Sequence, residues 1–134
     1  MQTRNQTLAV KVFQKIENLQ REFPDENSTE RKKYGAMAHN LPVLIRTAGL
    51  AQALGFLDAK SNDKEGKMNK QLLNDLASTL GKSSTQFLNQ SRGDNNQSLG
   101  DYLRLTQETL AALLWYKRFA QSVLGVESGE KAKE

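Results

Sequence analysis

Apolar residues recur along this chain at spacings of three and four, interrupted by capping and breaking signals, and the pattern reads as a run of helices. Leu8, Val12, Ile16, Leu19 and Phe23 form the first stripe. Thr3 with Gln6 is a capping box, and Pro24 closes the stripe by pushing the residue before it out of the helical region. The spacing predicts a helix from Gln2 or Thr3 to about Glu22. Asp25 to Ser28 is a polar linker, and Asn27 with Glu30 is a second capping signature. A short helix is expected from near Ser28 to about His39, with Tyr34, Met37 and Ala38 turned inward. Its opening turns carry Arg31, Lys32 and Lys33, which oppose the helix macrodipole at a cost of a few tenths of a kcal/mol each.

Asn40 to Lys60 is apolar at nearly every angle of its helical wheel: Leu41, Val43, Leu44, Ile45, Ala48, Leu50, Ala51, Ala53, Leu54, Phe56 and Leu57. Asn40 is a good N-cap, and Pro42 falls in the first turn, where its missing N–H costs nothing. A central helix buried on most sides is expected here. Arg46, Gly49 and Ala53 share one side of it, with Lys60 two turns further on. Such a strip lets a packed helix or a phosphate backbone approach closely.

Ser61 to Asn69 reads as a loop or helical start. Lys60, Lys64, Lys67 and Lys70 make it the densest basic cluster, partly balanced by Asp63 and Glu65. Leu72, Leu73, Leu76 and Leu80 are the next stripe, ended by Gly81 at the C′ position. A short helix is expected over Ser83 to Gln90, followed by the loop SRGDNNQS. Ser98 with Asp101 opens the last helix, which runs to Leu124 and stops at Gly125. Leu99, Leu103, Leu110, Leu113, Leu114 and Val123 are expected on its broad apolar face, with Tyr102, Tyr116 and Phe119 beside it. Arg104, Ala111, Trp115 and Arg118 share another strip, where the Trp either belongs to the core or stacks on a base or a neighbouring subunit. The architecture is all-α: a compact bundle of about four main helices and one or two short ones. One domain is expected over 1–125, with a disordered charged tail over 126–134.

Composition narrows the chemistry. There is no cysteine among the 134 residues, which excludes disulfides, thiol catalysis and Cys-type zinc sites. The net charge is +4; the last nine residues hold three Glu and two Lys, so the body carries +5. That excess is modest and compatible with an anionic partner such as nucleic acid. No signal peptide and no membrane-length apolar run is found, so a cytoplasmic location without a membrane partner is expected. The single histidine, His39, is expected at a helix end rather than mid-helix, where a phosphotransfer bundle would need it. Glu-x-x-His pairs, a P-loop, a dinucleotide turn and a Gly-x-Ser-x-Gly elbow are all absent. The expectation is a non-enzyme without catalytic residues, metal or cofactor.

Three blocks carry a family resemblance. Tyr34, Leu41-Pro42, Arg46, Gly49 to Leu54 and Phe56-Leu57 lie in the block Tyr34–Lys60. The second block is Tyr102 to Leu124, with its Trp-Tyr-Lys-Arg-Phe-Ala core, and the third is Thr3 to Ala9. Together they resemble the small subunit of type III-B CRISPR effector complexes, the Cmr family. The resemblance spans most of the chain outside Ser61 to Gln97 and the tail. It implies a non-catalytic helical subunit that stacks in a few copies along the inner face of the complex. Beside it, backbone-filament subunits hold a guide RNA and cleave the target RNA, and the small subunits line the guide–target groove and hold the assembly together. Base pairing then reads sequence, and the protein recognises shape and phosphates.

Arg46, Lys117 and Arg118 fall inside the matched blocks and are the leading candidate RNA contacts. Arg4, Lys11, Lys15, Lys32, Lys33, Lys60 and Arg104 form a second set. Arg4, Lys11 and Lys15 border the first apolar stripe, where their stems can lie on apolar surface and their heads face a partner; the plain alternative is a solvated flank. Two other functions compete: a helical adaptor that binds proteins only, and a free-standing, non-specific nucleic-acid binder.

Overall fold

A computed structural model describes residues 3–93 and 97–127. Within them the chain forms six helices and no strand: α1 (Arg4–Glu22), α2 (Thr29–Ala48), α3 (Leu50–Ser61), α4 (Lys67–Thr79), α5 (Ser84–Ser91) and α6 (Leu99–Ser122). The all-α bundle is as expected, with α5 as the short element. Local capping places most of the boundaries. The Thr3–Gln6 and Ser98–Asp101 capping boxes are both closed reciprocally, and Ser28 and Ser83 each accept an N–H three residues on. Gly81 and Gly125 take positive φ after α4 and α6, as C′ glycines do.

The middle of the chain departs from expectation. No break occurs at Asn40: α2 runs straight through Asn40 and Pro42, and the chain turns only at Gly49, with φ 91° and ψ 161°. An interior proline costs about 3 kcal/mol because it removes the bond to the carbonyl four residues back. Burial of Leu41, Pro42 and Ile45 on the same face offsets that cost, at roughly 1.5–3 kcal/mol per large side chain. The Gly49 conformation is essentially closed to residues with a Cβ, so the glycine fixes the turn. The expected single helix is therefore two. Its strip is divided as well: Ala53 is buried, whereas Arg46 and Lys60 are exposed on separate helices. Nor is the stretch covered on all sides, since Val43 is 55% and Phe56 43% exposed.

Helix α6 is the spine, packed along both α1 and α2. Gly49 lies beside Tyr102, Tyr34 beside Tyr116, and Arg31 bonds the Leu124 carbonyl, so α2 and α6 are antiparallel. Arg4 meets Glu108, Phe13 meets Phe119, and Gln20 reaches the Val123 carbonyl, so α1 and α6 run the same way. The face that α6 buries comprises Leu105, Thr109, Ala112, Leu113, Tyr116 and Ala120. Leu99, Leu103 and Leu114, expected on the inward face, point to solvent. They are 74%, 51% and 43% exposed.

Arg31, opposite in sign to what the N-terminus of α2 favours, is 2% exposed. Its guanidinium donates to the carbonyls of Phe23 and Pro24, just past α1, and of Val123 and Leu124, just past α6. Both sites are helix C-termini, whose dipoles favour a cation. The fold continues to Val126, where a separate tail is expected to begin. Val126 is 1% exposed against Gly35, and its N–H donates to Ala120 O. Its carbonyl lies 2.7 Å from His39 Nε2; because a carbonyl only accepts, the ring carries its proton there. The rest of the expected tail, 128–134, lies outside the described residues.

A polar network crosses the core. Tyr34 Oη donates to Asp75 Oδ2 at 2.7 Å, and Gln71 Nε2 donates to Oδ1 at 2.9 Å. Thr79 Oγ1 bonds the Asp75 carbonyl and the Tyr116 hydroxyl, each at 2.8 Å. Burial pushes both phenols up. It also raises Asp75 above 3.8, against the hydrogen bonds from Tyr34 and Gln71 and the charge of Lys15. The folded state thus holds the Asp75 proton to higher pH than the unfolded chain. This contribution to stability is complete below pH 3.8 and lost as pH rises through the folded value. Urea midpoints measured from about pH 4 to pH 7 are expected to fall less steeply in Asp75→Asn than in the parent. Equal slopes would show that Asp75 is not the group responsible.

Candidate nucleic-acid interface

The cations divide between two surfaces. Along the first, α1 and α4 pack antiparallel: Lys67 at the start of α4 lies over the Phe23 ring at the end of α1, with Nζ 5.6 Å from the centroid. At the opposite end, Arg4, Thr7, Leu8 and Lys11 face Thr79, Leu80 and Gly81 across a shallow groove closed by Glu108. Lys15 lies between, near enough to Asp75 for its charge to act on that carboxylate. A second groove shares Glu108 and adds Lys82, Asp101 and Arg104. Arg4, Lys11, Lys82 and Arg104 therefore stand against only Asp101 and Glu108 around the two grooves. Lys11, Lys15 and Lys82 form no ion pair with any described residue.

Helical spacing explains the row on α1. Arg4, Lys11 and Lys15 recur at seven and four residues, within 40° of one another on the wheel, beside the buried Val12, Ile16 and Leu19. Lys82 joins them only in the folded chain. It follows the Gly81 stop and is brought beside α6 by the packing of α4. Nothing in its own neighbourhood marks it, and sequence reasoning passes over it.

The leading candidates lie on the second surface. Arg46 is exposed near the end of α2, and Lys117 is half-buried on α6. The Arg118 guanidinium sits over the Trp115 ring, 5.0 Å from its centroid, and Phe119 stacks on that ring at 5.6 Å. Trp115 Nε1 donates to Asn5 Oδ1 at 2.9 Å. A base stacking on Trp115 would have to displace Arg118. Because α2 and α6 are antiparallel, Arg46 comes level with the first half of α6 and Lys117 with Tyr34. The structure does not bring the three leading residues to one spot.

The remaining cations are dispersed. Lys33 pairs with Glu65 at 3.3 Å, Lys60 Nζ lies 5.6 Å from the Phe56 ring centroid, and Lys32 is half-buried on α2. On the first surface, Arg104 pairs with Asp101 at 3.6 Å, and Arg4 with Glu108. His39 is buried at 4% exposure, so it offers no surface nucleophile. Among the described residues no three His, Asp or Glu side chains are placed to share a metal ion. No described helix is long and apolar enough to cross a membrane.

Comparison with known proteins fits this helical frame. Residues 4–123 match the family model of the CRISPR-associated protein Cas_Cmr5. The chain belongs to the Cmr5 family. It is 40% identical over 124 residues to the CRISPR system Cmr subunit Cmr5 of Thermus thermophilus, covering 92% of this chain and 98% of that one. The X-ray structure of a CRISPR-associated Cmr5 family protein from the same organism superposes with a TM-score of 0.75 at 42% identity, over the same shares of the two chains. The Cmr5 match takes in α1 to α6 whole, including the Ser61–Gln97 region that the resembling blocks leave out.

Proposed function

We propose that this chain is a non-catalytic small subunit of a type III-B Cmr effector complex in the cytoplasm. Copies of it stack along the inner face beside the backbone filament, stabilise the assembly, and bind the guide RNA–target RNA duplex by its phosphates. The observation that carries the RNA reading is the basic rim formed by Arg4, Lys11 and Lys15 on α1 and Lys82 just past α4; Arg4 is paired with Glu108, and the three lysines form no ion pair with any described residue. A backbone laid along such a rim meets cations in series and releases counterions at each. The family relation supports the assembly, since a relative of this length and fold is named as a Cmr subunit.

The test is target-RNA affinity of the reconstituted, guide-loaded complex as a function of salt. Lys11→Ala, Lys15→Ala and Lys82→Ala together are expected to weaken binding and to flatten the log–log salt slope by about 0.7 per lost contact, the value for an incoming single-stranded target. Arg46→Ala, Lys117→Ala and Arg118→Ala form the comparison set. A loss confined to that second set would move the RNA to the α2–α6 surface. Unchanged affinity in both sets, with the complex intact, would leave a protein-only adaptor.

A further inference from the structure

We propose that the outward face of α6 is the docking surface for a partner-protein helix whose apolar stripe is flanked by aspartate and glutamate. The buried positions Leu105, Thr109, Ala112, Leu113, Tyr116 and Ala120 fix which side of α6 is inward. At 100° per residue the opposite side carries Leu103, Gln107, Leu114 and Arg118, with Leu99, Leu110 and Lys117 along one edge. Leu99, Leu103 and Leu114 are exposed, and half-buried Leu110 bridges the gap between the last two. The antiparallel partner α2 extends the patch, because Val43 and Arg46, both exposed, come level with the Leu103–Leu110 part of α6. Leucines at intervals of four, seven and four make a groove-filling row for another helix.

Charge decides what that helix must carry. Lys117 and Arg118 flank the row on α6 and Arg46 flanks it on α2, and no carboxylate belongs to the outward side of α6. The two acidic residues of α6 lie at its α1-facing edge: Glu108 is paired with Arg4, and Asp101 accepts from the backbone N–H of the N-cap Ser98 and pairs with Arg104. A second copy docking about a two-fold axis would set Lys117 and Arg118 against themselves, and like charges at a rim oppose association. A phosphate backbone would meet the cations but leave the leucines uncovered. An acidic amphipathic helix covers both.

The experiment places a photo-crosslinking side chain, p-benzoylphenylalanine, at Leu103 and separately at Leu114 in the assembled effector complex. Both positions are exposed, so the fold tolerates the change. The expected product joins this chain to a segment of another protein subunit, mapped by mass spectrometry, with apolar residues three and four apart and Asp or Glu beside them. Lys117→Glu with Arg118→Glu is expected to lower the crosslink yield about tenfold. Crosslinks to RNA, to a second copy of this chain or to a segment without acidic flanks would each overturn the proposal. So would the absence of any crosslink from both positions. None of these outcomes bears on the α1–α4 rim, which its own salt series tests.

Discussion

Arg31→Met is expected to lower folding stability by about 3 kcal/mol, read as a fall in the urea midpoint at constant slope. The substitution keeps the apolar stem and removes the head. Four carbonyls, those of Phe23, Pro24, Val123 and Leu124, then lose a charged donor in a buried setting. Hydrogen bonds to a charged group are worth roughly 1.5–3 kcal/mol, and acceptors left without a partner add their own penalty. Arg31→Lys is the control. It keeps the charge but presents a point rather than a planar fork, so it cannot bridge two helix ends, and most of the loss is expected to remain. A loss under about 1 kcal/mol for Met would mean that water replaces the guanidinium, and that the ends of α1 and α6 need no clasp.

Gly35→Ala is the second large effect, and its sign is informative. On an open helix surface this change would stabilise by about 1 kcal/mol through helix propensity alone. Here a Cβ would come within 2.6 Å of Val126 Cβ and Cγ2, too close for either to stay. Val126 Cβ hangs directly on the backbone, so the C-terminal segment itself must move. That movement strains the 2.7 Å bond from His39 to the Val126 carbonyl and the 2.9 Å bond from Val126 to Ala120. Overpacking of this kind costs about 1–3 kcal/mol, enough to reverse the propensity gain. Val126→Gly introduced together with Gly35→Ala is expected to recover part of the loss, giving a coupling of about 0.5 kcal/mol or more in the double-mutant cycle. A stabilised Gly35→Ala would show that the Val126 contact is dispensable.

Both substitutions act on one feature: residues 123–126 are clasped by α2 through Arg31, Gly35 and His39. Local sequence carries only half of that feature. The Gly125 stop is legible because a C′ glycine needs only its own backbone freedom. The burial of Val126 depends on a glycine far back in α2, and no short window along the chain contains both. The same divide runs through the candidate interface. Arg4, Lys11 and Lys15 are legible as a row because they share one helix face, whereas Lys82 and Glu108 join them by packing.

Local sequence was enough to set most of the helices, because caps, stops and apolar periods act within about four residues of one another. Thr3–Gln6, Ser98–Asp101, Ser83 and Gly81 were sufficient to bound α1, α6, α5 and the end of α4. The family was legible too, through residues spread over three blocks. Three things needed the packed chain. Packing let Pro42 stay inside α2, because burial of Leu41, Pro42 and Ile45 outweighs one missing hydrogen bond, and so moved the break to Gly49. It turned Leu99, Leu103 and Leu114 outward, because α6 is apolar over more than half its circumference and only its neighbours choose which side is covered. And it gave Arg31 a place between two helix ends, because the interaction of a cation with a dipole depends on distance in space, and the carbonyls that hold it come from both ends of the chain.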